Sequence, residues 1–116
     1  MHSRQIKSSA QFNRLNKLGQ RLYFRNFVIS FIGSNDGCLA FGVIASKKVG
    51  SAVKRNRCKR VMRALIKDVL AKHIMSPAQC IVIARPHMLI ASHEELKMET
   101  SYASKKISKM VQNALH

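Results

Sequence analysis

The sequence predicts a small α+β domain, because segments of helical periodicity alternate with short runs of β-branched and aromatic residues along 116 positions. Three observations carry that reading. Two stretches have the form of helix-capping boxes, Ser8-Ser9-Ala10-Gln11 and Ser92-His93-Glu94-Glu95. Apolar runs at residues 27–32, 38–45 and 80–84 have strand composition. Between them, residues 52 to about 73 place apolar and basic side chains on opposite sides of one helix. The length fits a single domain over residues 1–116, and an apolar fraction of 47% supports one modest core without covalent staples.

In chain order, Ser8 opens a short helix in which Phe12, Leu15 and Leu18 form a core stripe, and Gly19 closes it. Arg14 and Lys17 lie on its wetter side. Residues 20–25 add a short extended piece, where Tyr23 and Phe24 sit beside Arg21 and Arg25 as an exposed aromatic–basic pair. The runs at 27–32 and 38–45 flank Gly33-Ser34-Asn35-Asp36-Gly37, a dense turn signal, and read as a β-hairpin with Phe27, Phe31 and Phe41 in the core. Lys47-Lys48-Val49-Gly50 is a basic loop, Ser51 caps the middle helix, and Ser76-Pro77 breaks it. Residues 80–84 form a buried strand ended by Arg85-Pro86. The last helix runs from Ser92 to about Ala114, with Leu96, Ala103, Ile107, Met110 and Ala114 toward the core.

Charge narrows the partner. Lys and Arg number 21 against 5 acidic residues, a net charge of +16. Residues 1–63 hold 14 of the basic side chains and one acid, Asp36, so the first half builds a basic surface. A nucleic acid, an anionic membrane or an acidic protein would match it. No apolar run approaches the roughly 20 residues of a spanning helix, and the start lacks a signal-peptide apolar segment, which argues against a membrane. Cys38, Cys58 and Cys80 are odd in number and far apart, as expected of free thiols in a cytoplasmic protein.

Autonomous nuclease chemistry is not supported. It would need clustered carboxylates for metal or paired His residues as acid and base, whereas five scattered acids are too few. His2, His73, His87, His93 and His116 show no zinc-like spacing, although His87 and His93 are near enough in sequence to meet. No Gly-rich phosphate loop precedes a helix, and no organic cofactor is implied.

The middle helix is the most informative segment. At 100° per residue, Cys58, Val61, Met62, Leu65 and Val69 share about a third of the circumference. Asn56, Lys59, Arg60, Arg63 and Lys67 cluster opposite, flanked by Arg55 and Arg57, while Ile66 and Leu70 lie at the margins and should touch a neighbouring element. Residues 54–60 hold five cations in seven positions and no acid. A merely solubilising face interleaves Glu with Lys, because like charges one turn apart repel. Guanidinium groups offer planar recognition of phosphate, and an Asn among them can bind a base edge, a ribose hydroxyl or a hydrated metal ion.

The contiguous segment from Phe41 to Arg60, with Gly42-Val43-Ile44-Ala45-Ser46-Lys47-Lys48-Val49-Gly50-Ser51-Ala52-Val53 leading into Lys54-Arg55-Asn56-Arg57-Cys58-Lys59-Arg60, resembles the signature of the bacterial ribonuclease P protein family. Phe12 with Gly19, Arg25-Asn26-Phe27 and Ile81-Val82-Ile83-Ala84-Arg85 resemble further segments of that family. The resemblance implies an α/β sandwich: a small, mostly antiparallel sheet of about four strands with three helices, and a left-handed β-α-β crossover carrying the arginine-rich helix. It implies a protein subunit of a tRNA-processing endoribonuclease, working with a catalytic RNA that removes the 5′ leader of precursor tRNA. Catalytic groups would then belong to the RNA and its Mg2+ ions, with none on this chain.

Carried over by position, Lys54, Arg55, Asn56, Arg57, Lys59, Arg60, Arg63 and Lys67, with Ser46, Lys47 and Lys48 of the loop, are expected to contact the RNA subunit. Phe12, Asn16, Lys17, Tyr23 and Phe24 are expected at the leader. Asn56 is also the candidate metal-site residue. Asn16 departs from the family, many of whose members carry a bulky apolar or aromatic residue there, so less stacking surface is expected. The expected partners are the catalytic RNA and precursor tRNA, with no membrane and no obligatory protein partner. A ribosomal protein or a helix-in-groove DNA binder would share the charge pattern, but would not account for the match from Phe41 to Arg60.

Overall fold

The computed structural model describes residues 3–6, 9–34, 39–74 and 77–115. The elements are β1 (Ser3–Gln5), α1 (Ser9–Leu18), β2 (Gln20–Tyr23), β3 (Phe27–Gly33) and β4 (Leu39–Ile44), followed by α2 (Ala52–Leu65). A π-helical turn (Ile66–Leu70) carries α2 into the short α3 (Ala71–His73). Then come β5 (Ala78–Ala84), a 3-10 turn (Pro86–Ile90) and α4 (His93–Leu115). The Ser8 cap, the turn at residues 35–38 with Cys38, and the helix break at Ser76 lie outside the described residues.

The α+β class is as expected, and the sheet is mixed. Its five strands run in the order β1-β4-β5-β3-β2. β2 with β3 and β3 with β5 are antiparallel, while β4 with β5 and β1 with β4 are parallel. The expectation of about four mostly antiparallel strands therefore misses β1 and the parallel half. The expected hairpin between residues 27–32 and 38–45 does not form, since β5 lies between β3 and β4 and pairs with both. The cause is burial. Cys80, Ile81 and Val82 are each at most 1% exposed, so β5 needs cover on both faces and takes the middle of the sheet. The hairpin that does form joins β2 to β3, closed by Phe24 N–H donating to Phe27 O (2.9 Å). β4 and β5 become adjacent parallel strands joined through α2, the β-α-β unit the family resemblance implied.

Two apolar layers sandwich the sheet. Phe27, Ile29 and Phe31, with Leu39, Phe41, Val43, Cys80 and Val82, face α2, the π turn and α4. Each such side chain contributes about 1.5–3 kcal/mol on burial. On the other face Leu15 of α1 packs with Ile6, Ala40 and Ile81, and Phe12 joins their edge. Leu18 departs from the expected stripe at 63% exposed: only Phe12 and Leu15 reach the sheet before Gly19 turns the chain into β2. Leu15 O fixes that corner, accepting from both Gly19 N (2.9 Å) and Ser30 Oγ (3.1 Å).

The π turn explains the marginal residues of the middle helix. Ile66, Val69 and Leu70 are all buried, and the turn packs against α4, which supplies the neighbour expected for Ile66 and Leu70. In α4, Leu96, Ala103 and Ile107 are buried as expected and Met110 is half-buried. The side chain of Ala114 lies outside the described residues. Thr100 and Ser104 are buried within the same stripe, where their hydroxyls donate to Leu96 O and Thr100 O (2.7 Å each).

Candidate nucleic-acid interface

The loop after β4 positions the start of α2. Val49 N donates to Ser46 O (3.0 Å), Gly50 N donates to Lys47 O (3.1 Å), and Lys48 N reaches Ser46 Oγ (3.3 Å). Gly50 has φ +136°, a conformation suited to glycine, and the Lys54 side chain packs where a side chain would stand. Ser51 caps the helix, its side chain accepting from Lys54 N at 3.4 Å. Ser46, Lys47 and Lys48 are exposed beside that first turn.

The expected helix face is present. Lys54, Asn56, Arg57, Arg60, Arg63 and Lys67 are exposed, while Cys58, Met62 and Leu65 are at most 2% exposed on the opposite side. Among the described residues none of these cations is paired with a carboxylate. Arg55 and Lys59 are half-buried, and Arg55 Nε is buried without a hydrogen-bond partner. These two form the flank toward the protein rather than the crest. Burial raises the Cys58 thiol above its ordinary range, partly offset by the Arg57 guanidinium.

A second surface lies on the α1 side of the sheet. Strand register sets Tyr23, Val28, Ile83 and Ile44 in one row across β2, β3, β5 and β4. Val28, Ile83 and Ile44 are half-buried and Tyr23 is 68% exposed. The next row, Arg21, Ser30, Ile81 and Gly42, lies under α1, with Leu15 over Ser30 and Phe12 over Gly42. The result is a half-buried apolar row beside Phe12, and its Ile44 end runs into the Ser46–Lys48 loop two residues later. Asn16 and Lys17 are exposed on α1, and Asn16 Oδ1 accepts from Arg21 Nη2 (3.2 Å). Phe24 is not part of this surface. It is half-buried on the helical face, with its ring centroid 4.9 Å from Phe27 and 6.0 Å from Tyr102. Adjacent residues of an extended chain point to opposite faces, so Tyr23 and Phe24 cannot act as a pair.

Sequence reasoning missed a buried polar junction. Asn26 is 0% exposed; its Nδ2 donates to Glu99 Oε1 (2.5 Å), and its Oδ1 accepts from His87 Nδ1 (2.7 Å). Arg85 completes it, donating from N to Asn26 O (3.0 Å) and from Nη1 to Phe24 O (3.0 Å). His87 is thus occupied by Asn26. Among the described residues no group of three His, Cys, Asp or Glu could hold a metal. Asn56 offers one exposed amide oxygen amid cations, which does not make a metal centre on its own. Cys58 and Cys80 are free and buried, and Cys38 lies outside the described residues. No helix among the described residues is long and apolar enough to cross a membrane.

Together these features define a class: a basic α+β protein that presents, among the described residues, cations without carboxylate partners on the helix between its parallel strands and an apolar row along the opposite sheet face. The profile of the ribonuclease P family matches residues 1–108, and the chain belongs to that family. It is 30% identical over 104 residues to the ribonuclease P protein component of a Nitratiruptor species, covering 90% of this chain and 92% of that one. It is 38% identical over 84 residues to that of Staphylococcus haemolyticus, covering 69% and 68%. The solved RNase P protein of Staphylococcus aureus superposes with a TM-score of 0.74 at 30% identity, covering 90% of this chain and 94% of the other. The Thermotoga maritima RNase P protein shares the fold, with a TM-score of 0.78 at 20% identity over 88% of this chain and 96% of the other.

Proposed function

We propose that this chain is the protein subunit of a cytoplasmic ribonuclease P, binding a catalytic RNA through α2 and the 5′ leader of precursor tRNA through the apolar row beside Phe12. The single observation that carries the reading is the row of exposed cations Arg57, Arg60 and Arg63 on α2 and Lys67 on the π turn that continues it, which have no carboxylate partner among the described residues. Cations so arranged repel one another unless a polyanion lies across them, and each phosphate engaged releases condensed counterions. Ser46, Lys47 and Lys48 extend the same surface toward Ile44, so leader and RNA subunit would meet at one end of the sheet. Single-stranded nucleotides suit the apolar row, since Phe12 and Tyr23 provide ring faces and Arg21 and Lys17 provide charge.

The chain's own part is binding, orientation and charge screening. Mg2+ held by the RNA would supply Lewis-acid polarisation and an activated water for phosphodiester hydrolysis. Asn56, exposed among these cations, would donate to or accept from groups near such an ion, with the RNA furnishing the ligands.

The test is cleavage of precursor tRNA at low Mg2+. Protein alone should leave it uncut, and protein added to the cognate RNA should stimulate removal of the leader. Cleavage by RNA-free protein would place the active site on the chain, and absence of both stimulation and RNA-subunit binding would refute the reading.

A further inference from the structure

Between α2, the 3-10 turn and the start of α4 lies a recess of about 130 Å3. Buried Cys58, Met88 and Leu96 form its floor and half-buried Val61, Leu89 and Ala91 its walls, while exposed Arg57 and His93 stand at its mouth. We propose that this recess receives one unstacked nucleobase from the RNA that α2 faces, with Arg57 held against the attached phosphate. The inference rests on the proposed function and adds a base-reading site to it.

Size, composition and position support it. Its volume approaches the roughly 150 Å3 that takes up benzene, and its mouth is open, so one six-membered ring can enter with its outer edge left toward solvent. No carboxylate is among its lining residues, and the floor residues Cys58, Met88 and Leu96 contribute aliphatic carbon and sulfur beneath the polar groups of Arg57 and His93. An apolar floor under a cationic mouth complements a ligand that is flat and apolar at one end and anionic at the other, which describes a nucleotide. A peptide side chain would fill the floor and bring no anion to Arg57.

Arg57 also belongs to α2, one turn from Arg60 and Val61, so a strand seated on the cationic face passes within reach of the opening. Proteins that read RNA do so largely through bases splayed out of the helix. The floor is part of the main core, so the site is formed before binding and little ordering is needed.

The test uses the full chain with the cognate RNA subunit. Ala91→Phe should fill the recess and weaken RNA-subunit binding by roughly tenfold, the scale of one lost base contact, while the salt slope falls by no more than the about 0.7–0.9 of the single Arg57 phosphate contact. Unchanged affinity with an unchanged melting temperature would overturn the inference.

A second measurement serves if that variant folds poorly. In the parent protein carrying 13C-methyl Met, adenosine 5′-monophosphate should shift the Met88 resonance and leave Met110 in place. No shift at Met88, an equal shift at both, or the same Met88 shift from inorganic phosphate would overturn it. Parent protein that fails to bind the RNA subunit would sink the proposed function instead, and the nucleotide titration would still decide the recess.

Discussion

The ring of Phe12 stands over Gly42: a Cβ at position 42 would lie 2.8 Å from Phe12 Cε1 and 2.9 Å from Cζ. The glycine is thus the seat that lets α1 lie close to the sheet while Phe12 stays half-buried against Ile6, Leu15, Ala40 and Ile81. Gly42→Ala should displace the ring at a stability cost of about 1 kcal/mol, since a side-chain end can move where backbone cannot. The ratio of affinities for leader-bearing and mature tRNA should fall severalfold, as it should for Phe12→Ala. Equal losses for both tRNAs, with a lowered melting temperature, would assign Phe12 to the core alone.

Asn16 accepts a hydrogen bond from Arg21 at the position where the family resemblance implies a bulky side chain. Asn16→Phe removes that acceptor and adds a ring beside Phe12. Base–aromatic stacking is worth about 1–3 kcal/mol, so leader-bearing tRNA should bind roughly tenfold tighter while mature tRNA is unaffected. Equilibrium binding of the two tRNAs checks this, and tighter binding of both would mean the new ring acts outside the leader.

Asn26 joins β3 to the 3-10 turn and α4 through His87 and Glu99. Removing its amide leaves two half-buried polar partners, His87 and Glu99, without it. Asn26→Ala should therefore cost about 1–3 kcal/mol, read as a lower urea midpoint at unchanged slope. A shift under a few tenths of a kcal/mol would mean water replaces the amide.

Burial pushes the Cys80 thiol up to about 12 from its ordinary 9.0. Folded protein should therefore resist alkylation at Cys80 at neutral pH and react there only on unfolding. The sign of the linkage follows. Between about pH 9 and 12 the unfolded chain has released a proton that the folded chain retains, so this thiol makes stability fall as pH rises through that window. Cys80→Ala should flatten the fall, and an unaltered pH profile would contradict the assignment.

What could be read from sequence was local. The two faces of α2 follow from 100° periodicity within 14 residues, and Ser51 and Ser92 cap their own helices, each accepting from the N–H three residues on. Nothing local places β5 between β3 and β4, because its partners lie 39 to 57 residues away, and the turn signal after Ile32 looks the same whether or not its flanking strands pair. Asn26 was illegible for the same reason: its partners are 61 and 73 residues distant. Phe24 was misplaced because exposure alternates along an extended chain, and its contact with Tyr102 is visible only once α4 docks. Phe12 carried a signal through the family resemblance, whereas its seat on Gly42 did not.

The central claim is that α2 meets phosphates, and the salt dependence of RNA-subunit binding tests it most directly. Arg60 and Arg63 are exposed and, among the described residues, unpaired with any carboxylate, so Ala at either should leave the melting temperature unchanged. Each substitution should weaken binding and reduce the log–log salt slope by about 0.7–0.9, and the double variant should lose about twice that. A slope that stays at the parent value in the double variant, with protein still folded, would place the RNA elsewhere and contradict the account.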